Sequence, residues 1–193
     1  MTERQREIIA RLVRAMEQDA PEWALPWETD KNKIHDVKRI ESIDRVLEAY
    51  YNHEHIVFAE QEQGQSYYAP DRDIIIVPLK RQFKSADAYY ATKAHETIHS
   101  TGDYTRCNRA TFSEYTSFRF GDSRYSREEL TAEIGACFLL DALGADISCA
   151  EHNAIAYIHN WLDKLNHNTK WIYKAGELAS EAVDYILESA GER

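Results

Sequence analysis

His95-Glu96-Thr97-Ile98-His99 is the stretch around which this 193-residue chain is organised. Two histidines four positions apart on a helix lie one turn apart on the same face, so both imidazoles can reach one cation. Glu96, beside the first of them, is placed to take a proton from water whose acidity such a cation raises. A catalytic zinc site needs a third protein ligand and one open position. The extended pattern HExxHxxGxxH runs as far as Gly102, but Thr105 stands where the last histidine belongs. The remaining donors are Glu129 and Glu133, on one helical face with Ala132, Ala136 and Cys137. Carboxylates on an inward face need a reason, since unpaired buried charge is costly. One glutamate on the metal, with the other accepting a hydrogen bond from a ligand histidine, supplies that reason. The expected site is therefore one Zn²⁺ per chain on His95, His99 and Glu129, with Glu96 as general base. Glu133 is the supporting or alternative ligand. Glu129 has a competing use, because Ser126-Arg127-Glu128-Glu129 also reads as a capping box that opens a helix.

Outward from the motif, a helix is expected from an N-cap at Ser85 to about Thr101, closed by a left-handed Gly102. Before it come three short β-type runs, His55–Phe58, Ser66–Tyr68 and Ile74–Val77, separated by Gly64 and by Pro70–Asp73. That turn chemistry predicts a small antiparallel meander. After it, a loop over 103–125 leads to a helix from Ser126 to about Leu143, then helices over about 151–166 and 170–188. Tyr125 and other loop tyrosines are candidates to steady a developing oxyanion. Upstream, Ile8, Ile9, Leu12, Val13 and Met16 form one helical stripe, and a further helix spans about 42–52. Pro21 to Trp27 is an aromatic connector, and the polar residues 28–40 read as a flexible linker. The fold class is α+β: a small antiparallel sheet beside the HExxH helix and a helical C-terminal half. Residues 1–40 form a helix and a Pro/Trp linker, and 41–193 the main domain.

The net charge of −10 argues against non-specific nucleic-acid binding, although residues 80–127 are mildly basic within an otherwise acidic chain. No apolar run approaches the length that spans a bilayer, and the charged N-terminus is no signal peptide. Three scattered cysteines, Cys107, Cys137 and Cys149, suit a reducing cytoplasm without a disulfide framework. His53 and His55, flanking Glu54, read as surface residues.

Order and spacing of several stretches add a resemblance. They are Tyr67–Ile74, Phe83–Thr92, His95–Gly102, Tyr125–Glu133, Ala156–Ile158 with Trp161-Leu162, and Ala182–Leu187. Over about residues 43–188 the chain resembles the zincin-like metallopeptidase domain of ArdC-type antirestriction proteins of plasmids and phages. The resemblance implies a zincin-like fold and a zinc peptidase serving a mobile element against host restriction. The implied partner is a protein or peptide substrate, such as a host defence protein, in the bacterial cytoplasm. Three departures stand out. His99-Ser100-Thr101-Gly102-Asp103 replaces the usual His-Trp-Thr-Gly-His, and Arg106-Cys107-Asn108-Arg109 the usual Arg-Leu-x-Arg. The family's N-terminal single-stranded-DNA-binding domain is reduced to residues 1–27, so weak or no nucleic-acid binding is expected. Two other classes compete: a non-catalytic antirestriction protein that binds a restriction enzyme or DNA around a structural metal, and a metal-dependent hydrolase of another bond.

Overall fold

The computed structural model describes residues 1–15, 25–30, 32–115, 123–161 and 169–193. The expected Met16 end of the first stripe, residues 21–24 of the aromatic connector, residues 116–122 of the 103–125 loop, the 162–166 end of the helix expected over 151–166, and the side chains of Tyr125 and Ser126 lie outside the described residues. Helix α1 spans Glu3–Ala15 and α2 Glu41–Glu54; strands β1 (Val57–Gln61), β2 (Tyr67–Ala69) and β3 (Ile74–Pro78) follow. Then come α3 (Ala86–Ser100), α4 (Ala110–Tyr115), α5 (Ser123–Ala142), α6 (Ser148–Trp161) and α7 (Lys170–Ser189).

The sheet is mixed, which corrects the antiparallel meander. Its order is β1-β3-β2, with β2 antiparallel to β3 and β1 parallel to β3. The four-residue turn over 70–73 closes the antiparallel β2–β3 hairpin. The five residues between β1 and β2 can instead cross two strand spacings of about 4.8 Å each. That leaves a central slot, which β3 enters with Ile75, Ile76 and Val77 buried. Among the described residues both β1 and β2 are therefore edges, and Val57 on the former is 54% exposed.

Helix α5 is the axis of the helical half and packs against α3, α4, α6 and α7. Its contact with α3 depends on Gly135, where a Cβ would lie 2.8 Å from Ile98 Cγ1. The buried face of α1 (Ile8, Ile9 and Leu12) joins the same core, on α5, α6 and α7. The stretch expected as a flexible linker is tied down at Glu28, His35 and Ile40. Glu28 N–H donates to Gln82, His35 N–H to Arg81, and Ile40 N–H to the Tyr90 hydroxyl. Trp27 bridges to Phe83, with their rings edge to face at 5.6 Å.

Two helix ends differ from expectation. Ser85 caps α3 by accepting from Ala88 N–H. Gly102, however, is not left-handed, and the helix closes at Thr101 in ordinary helical geometry. Glycine is needed there for another reason: a Cβ would meet the Phe112 side chain at 2.4 Å. At the other end, α5 begins at Ser123, so Ser126 is helical and Glu129 is not the third residue of a capping box.

Candidate metal centre

Helices α3 and α5 cross so that the histidines of one face the glutamates of the other. His95 and His99, one turn apart, bring their Nε2 atoms to 3.1 Å of each other. Glu129 lies across from both, with Oε2 3.6 Å from His95 Nε2 and Oε1 3.5 Å from His99 Nε2. The three donors all fall within 4.8 Å of one another. A tetrahedral cation with bonds of about 2.0–2.1 Å spaces its donors roughly 3.3–3.4 Å apart. The separations bracket that spacing, and two imidazoles with one carboxylate suit zinc or manganese chemistry.

The far side of each ring also meets a carboxylate. His95 Nδ1 lies 3.5 Å from Glu133 Oε1, and His99 Nδ1 lies 3.5 Å from Glu128 Oε1. Three acids on α5 thus surround two imidazoles, and their protonation is tightly linked. Burial favours the neutral acid at Glu129, but the hydrogen bonds and charges of His95 and His99 hold it well below the usual carboxylate range. Burial pushes Glu133 up to about 7, with His95 opposing and Glu129 assisting. For His99, burial disfavours the charge, yet Glu128 and Glu129 raise it to about 10. Proton-binding strength of this kind is what a dication would draw on in the protons' place.

Glu96 is buried on the same helix, and its charge is felt by both His99 and Glu133. Ser66 Oγ donates to Glu96 Oε1 at 2.8 Å, and Ser66 immediately precedes the edge strand β2. The HExxH glutamate is therefore tied to the nearer sheet edge.

All the expected site residues come together: His95, Glu96, His99, Glu129 and Glu133. Sequence reasoning missed Ser66, Glu128 and Arg109. Arg109 is buried and donates to Glu128 Oε1 at 2.5 Å, to the Ile98 carbonyl at 2.8 Å and to Thr101 Oγ1 at 2.5 Å. The second arginine of that loop, Arg106, is likewise buried inward. It reaches Glu54, Asp73, the Tyr68 hydroxyl and the Ser100 carbonyl, fastening the β2–β3 turn to the end of α3. The signal for both lay in the Arg106-Cys107-Asn108-Arg109 spacing, which marked the arginines without revealing their partners. His53 and His55 are exposed, and His55 takes the left-handed cap of α2 at φ 60°. The three cysteines are free thiols. No described helix is long and apolar enough to cross a membrane.

Residues 45–178 match the family model described as zincin-like metallopeptidase. The chain is 36% identical over 126 residues to the DNA primase TraC of Escherichia coli, a span covering 65% of this chain and 11% of that protein. Its structure is similar to that of the antirestriction protein ArdC from plasmid R388, solved with Mn(II). The TM-score is 0.59 at 33% identity, over 79% of this chain and 53% of that one. The metal-free ArdC structure gives 0.56 at 34% identity, over 76% and 50%. The chain spans about half the length of ArdC and a small part of TraC.

Proposed function

Because the chain belongs to the zincin-like metallopeptidase family, we propose that it is a zinc-dependent peptidase with an antirestriction role. The convergence of His95 Nε2, His99 Nε2 and the Glu129 carboxylate, with Glu96 buried on the histidines' own helix, carries this reading. His95, His99 and Glu129 are the ligands, and Glu133 orients His95 from behind. A dication held there supplies Lewis acidity toward water and toward a substrate carbonyl. Glu96 takes the proton of the attacking water and delivers it to the departing amine. Ser66 holds one oxygen of Glu96 and leaves the other for that exchange. A substrate segment pairs with the free edge of β2, where backbone hydrogen bonds recognise an extended chain of any side-chain composition.

The substrate is a protein, and the likeness to the antirestriction protein ArdC favours a host defence protein met in the bacterial cytoplasm. The same likeness favours a non-catalytic blocking protein as the second reading, and one substitution separates the two. Glu96→Gln abolishes peptide hydrolysis under the peptidase reading and leaves antirestriction intact under the blocking one. Metal content by mass spectrometry comes first: about one Zn²⁺ per chain in the parent, lost in His95→Ala. A fully folded parent that takes up no divalent metal overturns the proposal.

A further inference from the structure

Glu128 is the least expected residue of the site. It precedes the proposed ligand Glu129 and is 0% exposed, yet it points to the opposite side of the His99 ring. Its Oε1 receives Arg109 Nη2 at 2.5 Å, and its Oε2 receives Thr111 Oγ1 at 2.6 Å and Arg109 Nε at 3.3 Å. A carboxylate with no exposure keeps its charge only when it is paired and hydrogen-bonded. Here every contact but one comes from the loop and short helix after α3, and the exception is His99. Arg109 in turn grips the end of α3 through the Ile98 carbonyl and Thr101 Oγ1. The ring of His99 is thus boxed on its Nδ1 side by a carboxylate that is itself fixed to the same helix end.

Resting on the metal-site reading above, we infer that Glu128 and Arg109 are positioning residues for His99, acting as a pair. Glu128 accepts the Nδ1 proton of His99, which commits Nε2, the atom facing His95 and Glu129, to the cation. Arg109 has two tasks. It holds Glu128 as an anion without exposure to water, and it cancels that charge so that Glu129 remains the dominant negative group on the ligand side. The arrangement gives each ligand histidine its own backing carboxylate one helical turn or so apart on α5, Glu133 behind His95 and Glu128 behind His99. Only the deeper of the two needs an arginine, because His99 and Glu128 are the more buried pair, at 3% and 0% side-chain exposure against 16% and 14%.

The test reads metal affinity and the state of His99 rather than turnover. Zn²⁺ affinity is measured by chelator competition for the parent, Glu128→Gln, and the double variant Arg109→Met with Glu128→Leu. The double variant replaces the ion pair with apolar groups of similar length, so it guards against loss of fold from stranding one charge. Nitrogen-15 NMR of the Zn²⁺-loaded proteins reports whether His99 carries its proton on Nδ1 in a hydrogen bond. The expected result is a loss of about 10–100-fold in affinity in the folded double variant and a smaller loss in Glu128→Gln, which keeps an acceptor. The hydrogen-bonded Nδ1 signal of His99 should vanish in the double variant. A folded double variant with parental Zn²⁺ affinity and an unchanged His99 signal overturns the inference while the metal site stands. A parent that binds no Zn²⁺, Mn²⁺ or Co²⁺ overturns both.

Discussion

The backbone of Gly135 rests directly on Ile98, so close that any β-carbon would overlap the isoleucine side chain at 2.8–2.9 Å. Ile98 lies between the two histidines of the candidate metal centre in sequence, and Gly135 is two residues past Glu133. The contact therefore sets the distance across which imidazoles and carboxylates meet. Gly135→Ala should force α5 from α3, cost about 1–3 kcal/mol of stability, and weaken metal binding as well. Denaturant unfolding and a metal titration check both effects. Unchanged values for the two would show that the helices can yield without disturbing the site.

The two glutamates that face His95 should separate by metal affinity. Glu129→Gln puts a neutral amide, a poor zinc ligand, where the donors converge, and metal uptake should nearly disappear. Glu133→Gln keeps a hydrogen-bond acceptor behind His95, and the loss should be about 10–100-fold. A metal-replete Glu129→Gln beside a metal-free Glu133→Gln would reverse the roles.

Ser66 offers a milder perturbation of the proposed base. Ser66→Ala removes the hydrogen bond that this residue, just before β2, donates to Glu96. Peptide hydrolysis should fall by about 10–150-fold, in line with roughly 1.5–3 kcal/mol for a hydrogen bond to a charged group, with zinc content unchanged. Glu96→Gln should abolish hydrolysis at full metal occupancy. Activity retained in Glu96→Gln would remove the glutamate from the chemistry.

Asp44 governs part of the acid stability. It accepts from Lys93 at 2.7 Å, Arg39 at 2.9 Å and Tyr90 at 3.0 Å. Burial pushes its carboxyl up, but Lys93 and Tyr90 hold it below its ordinary value. A carboxylate so held stabilises the fold fully above its unfolded pKa of about 3.9, and that contribution fades as pH falls through the lower folded value. Asp44→Asn should flatten this acid limb in urea titrations run from pH 6 downward. It should also cost about 3–5 kcal/mol at neutral pH, because the buried Lys93 ammonium is left without its anion. A neutral-pH stability within 1 kcal/mol of the parent, on the order of an exposed pair, would contradict this.

With a net charge of −10, single-stranded DNA should bind weakly and with steep salt dependence. Fluorescence anisotropy across a salt series checks this. Tight binding at physiological salt would assign the basic 80–127 segment a role of its own.

What could be read without coordinates was whatever periodicity controls. The i, i+4 spacing of His95 and His99, the same spacing of Glu129 and Glu133, and the Ser85 cap are local geometry, and each pair faces one way on its helix. Misreadings arose where one local pattern has two meanings. Ser-x-x-Glu from Ser126 to Glu129 has the spacing of a capping box, but those residues lie inside a helix that starts at Ser123. Gly102 follows a helix as a terminator would, yet its purpose is room for Phe112, ten residues on. The direction of β1 depended on which strand filled the slot beside it, a question of packing that turn residues do not answer. Glu128 was illegible for a related reason: its partners, Arg109 and His99, are 19 and 29 residues away in sequence. The crossing of α3 and α5 brings His99 to it, and the segment leading into α4 brings Arg109.

His99 and Glu129 belong to different helices, with a loop of about 30 residues between them. In polymer terms, a cation gripped by both is a reversible cross-link. It removes conformational freedom from the unfolded chain much as a disulfide closing the same loop would. The grip exists only in the folded form, so resistance to unfolding should climb with the logarithm of free cation concentration. Chelation should lower the melting temperature even of a variant whose chemistry is dead. Under the proposed metal-site reading, metal supply in the cell would govern how long the folded chain persists, as well as whether it can act.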